Sequence, residues 1–477
     1  MKYVSHPVPP ACEKGPDILN IAFIIPPSPA KRQIIRLIDC SHEAKGNYLW
    51  QPNDFMIISS LLLPEDGAVL IDGTADRLTE KEFLERVAAV APDSIFFALS
   101  SVCWASDYQF FLQVKKLHPS VALYVIGDIF LEEEYLAFIL KKCDGVICNP
   151  YLLDLRKMAA KGRQTLSPIP GVRIALADSI HPAGETRTIQ NGIPRHELFQ
   201  KSGYCFPFAR YFRHATVTTM WGCPFSCSYC PDSLFKPVIR AVDSVLAELR
   251  HLQTMGIKEL FFADKTFGYP VRNACSLLQE MAESFDFSWS CYFHPQLYRE
   301  DLFDLMSAAG CHTVIIGVDS AKPVGLERYQ RQVDKKNIDD LIAHANRLGM
   351  NVCADFILGL EHESEADIIA TIEYALQLPI DFASFNIAAP FPGTSIRKKA
   401  REAGQMIFGR EGYDSLSQAG DLGLSPVGYE RIRQLRNSAV RRFYLRSSSL
   451  RRRLKRTVSL EHFFVQIGQT SHLFRKM

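Results

Sequence analysis

The chain lacks long hydrophobic runs and any framework of paired cysteines. No stretch of its 477 residues reaches the ~18 consecutive apolar residues that mark a membrane-spanning helix. The first residues, MKYVSHPVPPACEKGPD, lack the apolar core of a secretory signal. Thirteen cysteines, an odd number, are scattered along the sequence instead of being spaced as disulfide pairs. We therefore expect a cytoplasmic protein, with association to a membrane surface left open.

Strong charge of one sign is missing from the chain as a whole, but not from its end. The net charge is +2, whereas residues 401–477 hold 15 Lys and Arg against 6 Asp and Glu. Aromatic residues stand among arginines in FYLRSSSLRRRLKR, residues 443–456. A basic end of this kind contacts an anionic membrane or nucleic acid, or packs as a solvated helix on an acidic body.

The first 150 residues alternate apolar strands with helices, and they are predicted to form one domain. Apolar strands separated by single helices are typical of a doubly wound parallel sheet. Such sheets bind ligands at the carboxyl ends of their strands. Residues 151–214 are irregular and contain several prolines, which predicts a bridging segment. The strand candidates are 19–25, 68–72, 94–100, 121–127 and 145–149.

A second alternating run covers residues 215–400. Its six strand–helix repeats predict an α/β fold with a partial or complete barrel, whose chemistry gathers at the carboxyl ends of the strands. Residues 401–477 are predicted to form a helical C-terminal region, because apolar residues recur there at helical spacing. The barrel strand candidates are 216–221, 259–264, 288–293, 313–319, 351–359 and 382–389.

One group of cysteines has the spacing of metal ligands. Cys223, Cys227 and Cys230 form a C-x3-C-x2-C pattern directly after the first predicted barrel strand. Soft thiolates suit iron–sulfur clusters or zinc, but structural zinc requires four ligands and no fourth Cys or His follows at short spacing. Three thiolates on one loop leave one iron of a four-iron cluster open to a substrate or cofactor.

This pattern, with the aromatic Tyr229 before its last cysteine, resembles the motif of the radical S-adenosylmethionine (SAM) superfamily. The resemblance implies that the three cysteines are the catalytic centre and hold a [4Fe–4S] cluster whose open iron binds SAM. It implies reductive cleavage of SAM to a 5′-deoxyadenosyl radical, fed by an electron donor such as flavodoxin or ferredoxin.

Four further segments resemble SAM-binding parts of that family. They are FFADKTF (261–267), GVDS (317–320), FILGL (356–360) and PFPGTSI (390–396). Many relatives carry two acids in the first segment, where this chain has Lys265 as the second residue. The SAM contacts implied by the resemblance are Tyr229, Asp264, Asp319, Ser320, Ile357 and Leu358.

A doubly wound domain ahead of such a barrel resembles the cobalamin-binding subclass of the superfamily. The resemblance implies that cobalamin rests on the N-terminal sheet and faces the SAM site. It places Ser100, Ser101, Gly127 and Asp128, at two strand ends, near the nucleotide tail of the cofactor. No D-x-H-x-x-G follows the first strand, so no histidine ligand to cobalt is predicted. The alternative is a degenerate sheet that holds no cofactor.

Two interpretations stay open for the polar and aromatic residues 40–54. Either they line a substrate cavity between the domains, or they form an ordered loop held by caps and salt bridges. Elsewhere, His214 and His294 stand next to barrel strands, where a structural role is favoured over a catalytic one. The side chains with a proposed cavity role are His42, Glu43, Lys45, Trp50 and Asp54.

The leading hypothesis is a cobalamin-dependent radical SAM enzyme, a possible methyltransferase, that methylates or otherwise modifies an unreactive carbon of a small molecule or lipid. One alternative is a radical SAM enzyme without functional cobalamin, such as an RNA-modifying enzyme. A second is a non-enzymatic iron–sulfur or zinc scaffold. The basic end contains no compact RNA-binding module, so nucleic acid is the less favoured partner, while peripheral membrane contact through that end stays open.

Overall fold

Two parallel sheets with helices around them make up the described part of the chain. Among the described helices, none is long and apolar enough to cross a bilayer. The computed structural model describes residues 18–29, 33–37, 48–160, 171–174, 187–206, 208–361, 363–404, 425–447 and 452.

The N-terminal sheet is doubly wound, as the sequence predicts. Its strand order is β2-β1-β3-β4-β5-β6, with β1 to β5 parallel and β6 antiparallel to β5. Helix α2 begins with a capping box, in which the Thr79 and Glu82 side chains each bind the other residue's backbone N–H. Successive residues of β3 face opposite layers, Phe96 towards α1 and Phe97 towards α2 to α4. The elements are β1 (Asn20–Ile25), α1 (Asn53–Ser59), β2 (Gly67–Asp72), α2 (Glu80–Ala88), β3 (Ser94–Ala98), α3 (Trp104–Leu117), β4 (Ala122–Ile126), α4 (Glu133–Leu140), β5 (Gly145–Ile147), α5 (Leu155–Ala160) and β6 (Val172–Arg173).

The second sheet is a partial barrel of six parallel strands in the order β15-β14-β13-β12-β11-β8. Val314 and Ile316 of β13 pack against the outer helices, whereas Ile315 faces inward with Phe261 and Tyr292. The elements are β7 (Arg187–Ile189), β8 (His214–Val217), β9 (Met220–Trp221), β10 (Val238–Arg240), α6 (Val242–Thr254), β11 (Glu259–Phe262), α7 (Val271–Ser284), β12 (Ser288–Phe293), α8 (Glu300–Ala308), β13 (Cys311–Asp319), α9 (Pro323–Leu326), α10 (Lys335–Arg347), β14 (Asn351–Leu358), α11 (Glu365–Gln377), β15 (Phe382–Ile387), α12 (Ser395–Glu402) and α13 (Tyr429–Leu445).

The first barrel strand is shorter than the predicted strand 216–221. Strand β8 ends at Val217, and Met220–Trp221 forms β9 in a separate sheet of order β7-β10-β9. The break has a cause that lies far away in the sequence. The Asp264 carboxylate accepts the backbone N–H groups of Thr219 (2.6 Å) and Met220 (3.0 Å), which turns the chain out of the barrel.

Both edge strands of the partial barrel are covered by side chains from outside it. On β8, the Thr216 N–H donates to Gln51 Oε1 (2.7 Å), and Gln51 Nε2 donates to the His214 carbonyl (3.4 Å). On β15, the Tyr444 hydroxyl donates to the Ala383 carbonyl (3.0 Å) and accepts the Ala383 N–H (3.3 Å). An uncovered edge would expose backbone groups that can pair with another chain.

We predict that Gln51→Ala destabilises the fold, because the buried Thr216 N–H of β8 and the Phe199 carbonyl lose the partner that Gln51 provides. The free energy of unfolding should fall by about 1–3 kcal/mol, the usual effect of leaving buried polar groups unsatisfied. Chemical denaturation measures this, with the exposed Gln253→Ala as matched control. Equal stability of the two variants would show that water replaces Gln51 at this edge.

The two domains also meet through Glu132, which lies between β4 and α4. Its carboxylate accepts the Gly393 N–H (2.9 Å) and a hydrogen bond from Arg401 (2.8 Å), and both partners follow β15. The Arg397 guanidinium, fully buried, lies 3.5 Å from the same carboxylate. This contact fixes the carboxyl ends of the N-terminal sheet against the carboxyl end of the barrel.

The basic C-terminal helix α13 packs along the barrel. Ile432 and Phe443 are buried against it, and exposed arginines pair with acids of α11. Arg431 contacts Glu365, and Arg442 contacts Glu373 at 2.6 Å. These two arginines therefore hold α13 against α11. The rest of 448–477, apart from residue 452, lies outside the described residues.

Candidate active site

The three cysteines of the predicted cluster motif share one loop between β9 and β10. The Cys223 N–H donates to the Phe235 carbonyl (3.1 Å), and the Cys230 N–H donates to the Cys227 carbonyl (3.0 Å). Gly222 opens the loop with φ +82°, and a Cβ there would lie 2.6 Å from the Phe235 carbonyl oxygen. Only glycine fits that close approach. The cysteine loop is therefore a folded turn that carries three free thiols.

Burial raises the pKa of all three thiols, that of Cys223 to about 12. Nearby Arg331 opposes the rise at Cys227. The surrounding protein by itself thus favours thiols, and a soft cation such as iron would be needed to hold them as thiolates. Within the described ranges, no three His, Cys, Asp or Glu side chains are gathered at metal-binding spacing. The donor set nevertheless fits an iron–sulfur cluster, because it consists of three thiols on one loop.

A buried arginine ties the cysteine loop to the carboxyl ends of two barrel strands. Arg331 Nε donates to Asp319 Oδ2 (2.6 Å), and its Nη2 donates to the Gly317 carbonyl (2.7 Å). The Tyr229 hydroxyl donates to the same Asp319 oxygen (3.0 Å). Asp319 has φ +63°, a conformation that is uncommon outside glycine. Tyr229 and Asp319, predicted separately as SAM contacts, are thus in direct contact with each other.

His294, which follows β12, completes this network. Its Nε2 contacts Arg331 Nη1, and its ring stacks on Phe225 of the cysteine loop at 3.7 Å between centroids. Burial and the Arg331 charge lower the pKa of His294 to about 2, so the ring is neutral. His294 therefore positions the loop and Arg331. Sequence reasoning favoured such a structural role, but it missed Arg331, which belongs to none of the recognised segments.

The remaining predicted SAM contacts do not all face this network. Ile357 packs in the same cluster as Tyr229. Leu358 points the opposite way, into the core under the outer helices, since successive strand residues alternate. The Ser320 hydroxyl donates to Glu363 Oε1 (3.2 Å), whose other oxygen accepts the Gly359 N–H (2.9 Å). Ser320 therefore fixes the backbone after β14, and the Leu358 side chain lies on the other side of the sheet from Tyr229.

Asp264 and Lys265, the pair that differs from many relatives, point in different directions. Asp264 is 1% exposed, and burial raises its pKa to about 6. Its carboxylate is used in the turn after β8. The Lys265 side chain is 22% exposed, and its Nζ lies 3.5 Å from Asp232 Oδ1. Burial lowers the pKa of Lys265 and, together with the nearby Asp54, raises the pKa of Asp232 to about 7.

Two small neighbouring cavities lie between the N-terminal domain and the barrel. Both are lined by Asn53 and Asp54 of α1. The larger one is also lined by Trp50, and the smaller one includes Gly222 at the start of the cysteine loop. The cavity role proposed for Trp50 and Asp54 thus has a structural basis, while His42, Glu43 and Lys45 lie outside the described residues.

The four residues predicted to lie near a cobalamin tail stand at the carboxyl ends of β3 and β4. Their polar side chains form hydrogen bonds within the protein. The Ser100 hydroxyl donates to Asp107 (2.8 Å), and the Ser101 hydroxyl donates to Asp128. A Cβ on Gly127 would lie 1.7 Å from the Leu99 carbonyl oxygen. These polar groups are therefore bound within the protein, and Gly127 serves close packing of two strand ends.

Comparison with known proteins agrees with this geometry. The radical SAM superfamily model matches residues 217–375. The uncharacterized methyltransferase PH0819 of Pyrococcus horikoshii is 27% identical over 395 residues, 80% of this chain and 82% of that protein. The tryptophan 2-C-methyltransferase of Streptomyces laurentii is 24% identical over 251 residues, 46% of this chain and 42% of that protein.

Among solved structures, the radical SAM methyltransferase TsrM of Kitasatospora setae, with cobalamin and a [4Fe–4S] cluster bound, has a similar fold. The TM-score is 0.62 at 16% identity, over 80% of this chain and 75% of that one. The cobalamin-dependent radical SAM enzyme OxsB has a TM-score of 0.55 at 16% identity, over 76% of this chain and 52% of that one. The chain is an enzyme that contains a radical SAM domain over residues 217–375, and its fold is similar to that of the cobalamin-dependent enzymes TsrM and OxsB.

Proposed function

We propose that this chain is a cobalamin-dependent radical SAM methyltransferase that acts on a carbon of a small organic molecule or lipid. The observation that carries the proposal is the position of the cysteine loop. The loop lies at the carboxyl ends of the barrel strands, and Gly222 at its start lines a cavity shared with the N-terminal domain. A cluster, SAM and a substrate held there would all lie within reach of the N-terminal sheet.

The chain's own residues have defined tasks in this site. A [4Fe–4S] cluster on Cys223, Cys227 and Cys230 would supply one-electron reduction of bound SAM. Tyr229 and Asp319 would bind SAM beside the loop, and Arg331 keeps the Asp319 carboxylate fixed. Such fixed groups at a buried site reduce the reorganisation that binding and reaction require.

Cobalamin would bind where the N-terminal sheet meets the barrel, at the junction that the larger cavity marks. The larger cavity is lined by Arg36 and Leu37 at the N-terminal sheet and by Thr216 and Phe261 of the barrel. This cavity therefore contacts both the N-terminal domain and the barrel, as a cofactor bound between them would. The serines predicted to lie near its tail donate hydrogen bonds to Asp107 and Asp128.

The cavity lining and the relatives support this substrate class. Trp50, Phe261 and Trp221 give the two cavities large aromatic surfaces, which suit an apolar ring system. Relatives of this chain are named as methylases of tryptophan, of bacteriochlorophyllide d and of hopanoids. One relative is a tRNA-modifying synthase. Arg431, Arg433 and Arg442 of α13 pair with acids, however, which makes them less available to an RNA.

Metal content and reaction products test the proposal together. After anaerobic reconstitution with iron, sulfide and hydroxocobalamin, we expect about four iron atoms and about one cobalt per chain. With SAM and reduced flavodoxin, 5′-deoxyadenosine and S-adenosylhomocysteine should form. Tryptophan, a bacteriochlorophyllide and a hopanoid should be offered as acceptors, with a gain of one CH₂ in mass as the readout. Iron and SAM cleavage without retained cobalt would remove cobalamin from the proposal and leave the radical SAM core.

A further inference from the structure

The contact segment, residues 390–397 after β15, binds the middle of the cysteine loop. The Ser395 N–H donates to the Ser228 carbonyl (3.1 Å), and the Ser395 hydroxyl donates to the same oxygen (3.2 Å). Ser228 lies inside the cysteine motif, and its own N–H donates to the Tyr329 carbonyl (2.8 Å). Both backbone groups of Ser228 are thus held by residues from outside the loop.

The contact segment also binds the N-terminal domain. Its Phe391 packs against Ile34 and Val102, which follow β1 and β3. Its Gly393 N–H donates to the carboxylate of Glu132, which follows β4 (2.9 Å). One short segment of the barrel therefore contacts the carboxyl ends of the N-terminal sheet and the cysteine loop together.

Gly393 is the point where these parts are closest. A Cβ on Gly393 would lie 2.6 Å from Leu234 Cδ1 and 3.2 Å from Leu131 Cβ. Leu234 follows the cysteine motif by four residues, and Leu131 directly precedes Glu132. The N-terminal domain and the cysteine loop are therefore separated here by one stretch of backbone. A shift of one part displaces the other, because close-packed groups transmit strain.

The Glu132 carboxylate also fixes helix α12, whose first residue is Ser395. Glu132 is 8% exposed, and it accepts a hydrogen bond from Arg401 at 2.8 Å. The buried Arg397 Nε lies 3.5 Å from the same oxygen. Both arginines belong to α12, so Glu132 holds the helix on the residue before it and at two later positions. The hydrogen bonds from Ser395 to the cysteine loop depend on the position of this helix.

We propose that Glu132 is a positioning residue for the cluster. It acts across the domain boundary, through the contact segment, to hold the cysteine loop in place. The N-terminal domain thereby contributes to the cluster site itself. This inference rests on the proposed function, which places a [4Fe–4S] cluster on this loop.

Hydrogen–deuterium exchange of the full chain, read by peptide mass spectrometry, tests the proposal. In Glu132→Ala, amides of residues 223–234 should exchange at least threefold faster than in the wild type, because the loop opens more often. Glu133→Ala, the exposed neighbour, is the matched control and should leave the loop unchanged. Glu132→Gln keeps an oxygen for the Gly393 N–H, so its loop exchange should be intermediate. If the alanine variant does not fold, the glutamine variant decides.

SAM binding supplies a readout that domain contact alone would not change. With the cluster reconstituted, Glu132→Ala should weaken SAM binding about fivefold, and Glu133→Ala should not. Faster exchange confined to residues 128–136 and 390–401, with unchanged loop exchange and SAM affinity, would overturn the proposal. A wild-type chain that binds no iron would instead contradict the proposed function. Loop exchange needs no cluster, so it judges Glu132 in that case as well.

Discussion

Replacing Cys223, Cys227 and Cys230 together with alanine is expected to abolish SAM cleavage. These three are the cysteines of the loop between β9 and β10. Without the three sulfur atoms, nothing on the loop can bind iron as a soft anionic ligand. Iron per chain should fall from about four atoms to near zero, and 5′-deoxyadenosine should drop below detection. Iron analysis and chromatography of the reaction mixture measure both.

A matched variant separates loss of the cluster from general damage to the fold. Cys275→Ala removes a partly buried free cysteine from α7, away from the loop, and should leave iron content and SAM cleavage unchanged. Circular dichroism of the triple variant should match that of the wild type, since the loop backbone is held by main-chain bonds to Phe235 and within the turn. SAM cleavage that survives the triple substitution would disprove the assignment of the cluster ligands.

The cysteine motif and the order of strands could be predicted because each is determined by residues that are close together in the sequence. Three cysteines within eight positions indicate a set of metal ligands independently of the neighbouring sequence. Apolar segments such as NIAFII and SIFFA, separated by helices, specify parallel strands because both faces must be buried. Six such repeats from residue 215 predicted the second sheet, and the structure has six parallel strands in consecutive order apart from the small sheet of β7, β9 and β10.

The structural details that the sequence alone did not predict depend on contacts between residues that are distant in sequence. The predicted strand 216–221 is divided because Asp264, more than 40 positions later, binds the backbone at Thr219 and Met220. Ser100 and Ser101 stand at strand ends as predicted, but Asp107 and Asp128 bind their hydroxyls. A sequence pattern places a residue at a strand end, and it does not say which partner the residue has there.

Some of the site could have been predicted more sharply from strand geometry alone. Ile357 and Leu358 were assigned together to one ligand, although adjacent strand residues face opposite sides of a sheet. Only Ile357 lies with Tyr229. Arg331 gave no such signal, because it stands in a loop between α9 and α10 and belongs to no recognised segment. Its importance appears only when its contacts with Asp319, Gly317 and His294 are seen together.

Replacing Arg331 with methionine is expected to weaken both the fold and SAM binding. The substitution leaves the Asp319 carboxylate, which is 5% exposed, without its charged partner. Removing one member of a buried ion pair lowers the free energy of unfolding by about 3–5 kcal/mol. The same change releases Asp319 from its fixed position, so SAM affinity should fall by at least about tenfold, or ~1.4 kcal/mol. Denaturant titration and equilibrium binding of SAM measure the two effects, with the exposed Arg328→Met as control.

A double variant separates the stabilising role of Arg331 from its positioning role. Adding Asp319→Asn to Arg331→Met removes the unpaired charge, so most of the lost stability should return. SAM affinity should stay low, because the carboxylate proposed to bind SAM is then absent. Arg331→Lys should recover little of either property, since an ammonium cannot reach Asp319, Gly317 and His294 at once as the planar guanidinium does. If the double variant regains wild-type SAM affinity, Arg331 acts only on stability, and the Asp319 carboxylate is not part of the SAM site.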